Sequence, residues 1–223
     1  MPRIHCELSR VRCPIKVSFP ILSKLTEKIV KAIARLSQHL TENSLWNNHQ
    51  SAYLRRHSTE TVLLSLYNSL INAIDKQNVS CLCLLDLSAA FDTIDHSILL
   101  DRLQSWFGIS DIVLSWFNSY LSSRSSIVHS LNSSSAPTPL KIGVPQGSVL
   151  GPLLFILYTT PLSYLIESSC ADHHLYADDT QLFISFPPEN FHSSLASLQT
   201  VLSQVSSWTT ANFLSLNPSK LQS

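Results

Sequence analysis

The chain is 223 residues long, 44 % hydrophobic and only 13 % charged, a balance that excludes intrinsic disorder. At this length folding removes roughly 70 % of the extended chain's surface from water, enough for one good core or two subdomains sharing one. The 15 Lys and Arg are matched by 15 Asp and Glu, so a chain-wide basic surface is excluded and any phosphate-binding surface has to be local.

The N-terminus lacks an uninterrupted apolar run, so no signal peptide is expected, and residues 1–19 read as an irregular entry segment. From Ile21 the spacing Leu22, Leu25, Ile29, Ile33, Leu36, Leu40 predicts an amphipathic helix. After a polar stretch, Ser58 is placed as an N-cap, with Glu60 in the first turn of a helix carrying Val62, Leu63, Leu66, Leu70, Ile71 and Ile74. The run Val79–Leu87 is short and nearly continuously apolar, which predicts a buried strand. Two helices are expected over Ser97–Phe107 and Asp111–Leu121, separated by Gly108, and the Ser-rich stretch that follows holds a strand candidate at Ile127 and Val128.

The most apolar stretch, Val149–Ile166, contains Gly151, Pro152, Thr159, Thr160 and Pro161; it reads as a buried helix and the turn after it, not as a membrane span. His174–Ala177 and Gln181–Ser185 predict two strands of a hairpin around Asp178-Asp179. Pro187-Pro188 breaks the chain before a last helix with Phe191, Leu195, Leu198, Leu202, Val205 and Trp208 on one face. Strands alternating with helices and including a hairpin predict an α+β fold, an antiparallel sheet backed by helices. Cys6, Cys13, Cys81, Cys83 and Cys170 show no zinc-finger spacing and fit a reducing, intracellular compartment; Cys81 and Cys83, alternating with Leu82 and Leu84, read as core residues of the strand.

Three acids stand out by position. Asp86 closes an apolar strand, and Asp178 and Asp179 occupy the tip of an apolar hairpin. A carboxylate flanked by strand core is costly unless it is paired or binds a cation. If the two strands lie side by side, the repulsion between Asp86 and Asp178 calls for a divalent ion. That is the arrangement of two-metal phosphoryl transfer, in which hard oxygen ligands favour Mg²⁺. Taken alone, Asp178-Asp179 also reads as an ordinary hairpin turn, which Asp favours. His57, His96, His173 and His174 form no nucleophile or general-base pattern.

The surrounding residues resemble a known family. Leu85-Asp86-Leu-Ser-Ala-Ala-Phe91-Asp92 is similar to motif A of the reverse transcriptases of non-LTR (LINE-type) retrotransposons. Gly143-Val-Pro-Gln146-Gly147-Ser-Val-Leu-Gly151-Pro resembles motif B, Tyr176-Ala-Asp178-Asp179 the YADD box of motif C, and Ser-Leu-Asn217-Pro-Ser-Lys220 the start of motif D. Upstream, Ile21–Lys28 and Gln50–Thr59 resemble the fingers motifs, so the resemblance runs from about Phe19 to Lys220 and is closest to the L2, CR1 and Rex group.

The resemblance implies a right-hand polymerase fold, with a fingers-like part over 20–78 and a palm over 79–223, in a truncated chain with the thumb and endonuclease domain absent. It implies RNA-directed DNA synthesis with two Mg²⁺ ions, Mn²⁺ being a possible substitute. Asp86, Asp178 and Asp179 would be the catalytic metal ligands. Phe91 would exclude a 2′-hydroxyl, or else be plain core. Gln146 and Gly147 would meet the template and nascent base pair, Arg55 or Arg56 the triphosphate, and Lys220 the leaving pyrophosphate. The implied partners are an RNA template, a DNA primer and dNTPs, with no membrane; the oligomeric state is left open. The implied place of action is the nucleus. The chain departs from the family pattern at Leu54, where an arginine is usual, at Ala52, often Gly, and at Cys13-Pro14, where Arg-Pro is usual. A second reading stays open, a catalytically inactive remnant or a nucleic-acid-binding module.

Overall fold

The computed structural model describes residues 19–122, 124–127, 129–130, 133–144 and 148–217. Residues 1–18, Val128, Gln146, Gly147 and Lys220 lie outside the described residues, so the readings that fall on them are not addressed by the fold.

Helix α1 (Phe19–Glu42) buries Leu36 and Leu40 and packs Ile29 and Ile33 against the larger core, as its spacing predicts. Helix α2 (Thr59–Asp75) starts at Ser58, whose hydroxyl accepts the Thr61 N–H at 3.3 Å while the Thr61 hydroxyl accepts the Ser58 N–H at 3.0 Å. Its apolar stripe is not a buried stripe. Val62 and Ala73 are buried, but Leu63, Ile71 and Ile74 are exposed, because α2 rests on the edge strand β1 (Val79–Leu85) and offers it only one narrow face.

The expected strand Val79–Leu87 is split at Asp86, with β2 (Leu87–Ser88) turning into a separate ladder. Helices α3 (His96–Ser105) and α4 (Asp111–Leu121) follow. In the Ser-rich stretch the strands are the two-residue segments β3 (Ser125–Ser126), β4 (His129–Ser130), β5 (Ser133–Ser134) and β6 (Thr138–Pro139), paired β3 with β6 and β4 with β5. Ile127 lies between strands, contrary to expectation; a two-residue pair needs turn-forming serines more than an apolar face.

Helix α5 (Gly151–Glu167) is the buried helix read over Val149–Ile166, and it continues past Pro161, so the turn follows only after Glu167. The proline removes one backbone bond at a cost of about 3 kcal/mol. Burial of most of the helix offsets it, from Leu153 through Tyr158 to Ile166, with Tyr164 left exposed near its end. Strands β7 (Asp172–Tyr176) and β8 (Asp179–Phe186) form the predicted hairpin; a 3-10 turn (Pro188–Asn190), helix α6 (Phe191–Ala211) and β9 (Ser215–Leu216) complete the described chain.

The sheet is antiparallel, in the order β1-β8-β7, and α5 and α6 lie against it, which is the α+β architecture read from the sequence. One core fills the space between sheet and helices with Cys83, Leu85, Leu162, Leu182, Ile184, Leu198 and Val205. The larger core joins α1, α3, α4 and the first half of α5 around Leu99, Leu103, Phe117 and Phe155. Between α3, α5 and α6 sits buried Arg102, its guanidinium 4.5 Å from the Tyr158 ring and 5.3 Å from the Trp208 ring, donating to the Tyr158 carbonyl and the Asn212 side chain. The Tyr158 hydroxyl donates to the Asn212 carbonyl at 2.7 Å, so the turn that leads from α6 into β9 is held on two sides.

Candidate active site

The sheet register collects the acids at one end. Leu85 pairs with Thr180, so Asp86, the next residue along β1, reaches the hairpin mouth where β8 begins. Tyr176 pairs with Asp179, which makes Ala177-Asp178 the two-residue tip and puts Asp179 already on β8. The tip is therefore one residue earlier than the Asp178-Asp179 expected. Ala177 has φ +56°, the left-handed region that a two-residue hairpin turn demands at its first position and that glycine normally fills. Asp86 and Asp178 are half-buried and Asp179 is exposed.

Asp86 is held from β9. The β2–β9 ladder pairs Leu87 with Leu216, and the next residue, Asn217, donates its backbone N–H to the Asp86 carbonyl at 2.8 Å and its side-chain Nδ2 to Asp86 Oδ2 at 3.0 Å. Among the described residues no three His, Cys, Asp or Glu side chains converge closely enough to make a three-ligand metal site. The donor set nevertheless fits a hard divalent cation, because Mg²⁺ is commonly held through one or two carboxylates with substrate phosphate and water completing its shell. Asp86 and Asp178 supply that much.

The segment between α1 and α2 closes the open edge of the hairpin. The Leu175 N–H donates to the His49 carbonyl at 2.7 Å and the Ser51 N–H to the Leu175 carbonyl at 3.0 Å, a parallel bridge between Gln50 and Leu175. Histidines fasten it. His49 stacks on buried His173 at 4.1 Å and pairs with Glu167 at 3.1 Å, and the His174 ring bonds to the Ser51 hydroxyl at 2.9 Å. Burial first, then the neighbouring His49 and His174, push His173 down to about 4, so it is neutral and bonds the Ser163 hydroxyl. His173 and His174, which offered no pattern in sequence, act with His49 as structural fasteners.

Beyond Ser51 the segment reaches Tyr53, exposed and at φ +61°. Partial burial, and then the charges of Asp178 and Tyr176, raise the Tyr53 phenol above its usual value, so Tyr53 stands beside the hairpin tip as a neutral donor. Arg55 and Arg56 follow on the exposed loop into α2. Phe91 is half-buried with its ring stacked on Phe155 at 4.8 Å, and its carbonyl accepts the Val144 N–H at 2.9 Å. Gly143, at φ +79°, donates to the Ile94 carbonyl at 2.7 Å, and a Cβ there would lie 2.9 Å from the Asp92 carbonyl oxygen. The segment carrying Gln146 and Gly147 is thus tied to the segment carrying Phe91 just before it leaves the described residues. His96 bonds the Gly143 carbonyl at 2.8 Å, a more specific place than a surface position beside the Asp95 cap.

Sequence reasoning assigned no role to Gln50, Tyr53 or Asn217. All three lay inside quoted motif segments, but their contacts join residues more than a hundred positions apart, and no local pattern carries that.

A family model described as "Reverse transcriptase (RNA-dependent DNA polymerase)" matches residues 12–223. The chain is 31 % identical over 204 residues to a probable RNA-directed DNA polymerase from transposon BS of Drosophila melanogaster, covering 89 % of this chain and 22 % of that protein. It is 28 % identical over 143 residues to the RNA-directed DNA polymerase from mobile element jockey of Drosophila funebris, covering 64 % of this chain and 15 % of that protein. Among solved structures it is similar to apo telomerase from Candida tropicalis truncated from its C-terminal domain, with TM-score 0.67 and 15 % identity over 93 % of this chain and 44 % of that one. Telomerase from Candida albicans in complex with a fragment of telomeric RNA gives TM-score 0.64 and 12 % identity, over 91 % and 34 %. At such identities the structural likeness is one of fold. The chain spans only part of the length of every one of these proteins.

Proposed function

The chain belongs to the reverse transcriptase family, and on that premise we propose that it carries the template-directed DNA-synthesis site of an RNA-directed DNA polymerase of the non-LTR retrotransposon kind. The observation that carries the reading is the β1–β8 register, which sets Asp86 at the mouth of the hairpin bearing Asp178 and Asp179. A divalent metal, Mg²⁺ or Mn²⁺, would supply Lewis-acid stabilisation of the reacting phosphate and of the attacking primer hydroxyl. Asp86 and Asp178 would hold it, with Asp179 outside the pair, and Asn217 fixes which way the Asp86 carboxylate faces.

The remaining roles follow from position. Phe91, braced on Phe155, is stiff enough to bar a 2′-hydroxyl. Arg55 and Arg56 can fork onto a triphosphate, and Tyr53 can donate to an anionic oxygen beside Asp178. Gln146 and Gly147 would meet the template and nascent pair, and Lys220 the leaving pyrophosphate. RNA template, DNA primer and dNTP are the proposed partners, and chromosomal DNA in the nucleus the proposed place of action. No helix of the described residues is long and apolar enough to cross a membrane. The test is metal-dependent extension of a primer on an RNA template, which Asp86→Asn or Asp178→Asn should each abolish.

A further inference from the structure

Gln50 is 2 % exposed, and its side-chain Oε1 accepts two backbone donors from distant parts of the chain. One is the Ala52 N–H at 2.8 Å, the other the Ala177 N–H at 3.2 Å. Both donors lie at strained backbone. Ala52 leads into Tyr53 at φ +61° and then Arg55 and Arg56; Ala177 is itself at φ +56° and leads into Asp178. Two N–H groups facing one amide atom require that atom to be the oxygen, which fixes the amide's orientation. The Nε2 is then driven into a place where it is buried with no partner. A buried unsatisfied donor is a standing cost. The chain bears it at a side chain that joins the arginine-bearing loop to the acid-bearing turn.

We propose that Gln50 is a positioning residue that sets Asp178 relative to the Tyr53–Arg56 loop, by clamping both turns on a single carbonyl oxygen. The inference rests on the reading of Asp178 as a metal-holding acid. Left-handed backbone at a non-glycine residue persists only where the surroundings over-determine it. At Ala177 the two-residue hairpin turn already calls for that backbone, and Gln50 Oε1 adds a contact shared with the loop that carries Tyr53. The backbone bridge between residues 49–51 and Leu175 stands independently of that atom, so loss of the side chain should loosen the two turns while leaving the segment docked.

The experiment compares the full chain with Gln50→Leu, Gln50→Glu and Asp178→Asn. Amide hydrogen exchange of the free protein is the first measurement. Gln50→Leu should speed exchange at Ala52 and Ala177 by about tenfold, with Ser51 and Leu175 unchanged and Gln50→Glu, which keeps the acceptor, close to the unaltered chain. Binding of Mn²⁺ to the same four proteins, read from the signal of the free ion, is the second. Asp178→Asn should lose binding, Gln50→Leu should weaken it about tenfold or more, and Gln50→Glu should restore it. Exchange that rises equally at Ser51 and Leu175, or Mn²⁺ affinity untouched in Gln50→Leu but lost in Asp178→Asn, would overturn the proposal. Mn²⁺ affinity untouched in Asp178→Asn would instead overturn the metal reading on which it rests.

Discussion

Asn217 grips Asp86 twice, by a main-chain bond of 2.8 Å to the carbonyl and a side-chain bond of 3.0 Å to Oδ2. The carboxylate is thereby turned by a residue from the last described strand, reached only after α6 and the Arg102-held turn have been placed. Partners of this kind tune a metal ligand by fixing its orientation, and their loss typically costs roughly 10- to 100-fold in metal affinity. Asn217→Ala should weaken Mn²⁺ binding by that order while leaving the thermal midpoint within a few degrees. A titration of the free ion measures it.

The two positive-φ glycines among the described residues should differ in what they tolerate. Gly143→Ala meets both a φ of +79° and the Asp92 carbonyl oxygen 2.9 Å from the new methyl, so it should cost about 3 kcal/mol or more. Gly108, at φ +65°, has nothing within 4 Å of a built Cβ, and Gly108→Ala should cost only the backbone strain, about 1 kcal/mol. Urea midpoints of the two variants check the ordering, and equal losses would contradict it.

The histidine fastening should make stability pH-dependent in a defined direction. His173, 7 % exposed, is lowered to about 4 from an unfolded value of 6.5, and His174 is lowered too, by burial and then His49 and His57. The unfolded chain therefore binds protons first. The stability these neutral rings contribute is fully present above about pH 6.5 and is lost as pH falls towards about 4, by a few kcal/mol at most for His173. Denaturant midpoints between pH 7.5 and 5 should fall steadily for the unaltered chain and less steeply for His173→Gln.

Much of this fold was legible in local pattern, for reasons that particular residues make plain. Ser58 caps α2 because a short hydroxyl before an apolar-periodic run can accept the N–H of Thr61. Cys83 and Leu85 are buried on β1 because alternation places them on one face. What failed to show in sequence depends on partners far along the chain. The sequence left open where the helix in Val149–Ile166 gives way to its turn, and burial around α5 carries it past Pro161. Arg102 drew no reading from the sequence, because its partners Tyr158 and Trp208 lie far along the chain. Asp86 and Asp178 were recognisable as acids at strand ends, but that Asn217 bonds Asp86 and Gln50 bonds Ala177 beside Asp178 is set by the fold and not by spacing.

Phe91 should act on the substrate's sugar and not only on the core. Its ring lies 4.8 Å from that of Phe155, which leaves it little freedom to swing aside. Phe91→Ala should lower discrimination against rNTPs by roughly tenfold or more at the cost of some stability from the lost stack. Competitive incorporation of dNTP and rNTP on the same primer gives the ratio. An unchanged ratio with lowered stability would leave Phe91 a core residue alone.

The activity proposed for the Asp86–Asp178 end of the sheet is metal-dependent DNA synthesis. It is tested most directly by primer extension on an RNA template with Mg²⁺ or Mn²⁺, comparing the unaltered chain with Asp178→Asn. The account predicts extension by the unaltered chain that disappears in the variant while primer–template binding is retained. Synthesis that survives Asp178→Asn, or no synthesis by the unaltered chain with either metal, would contradict it.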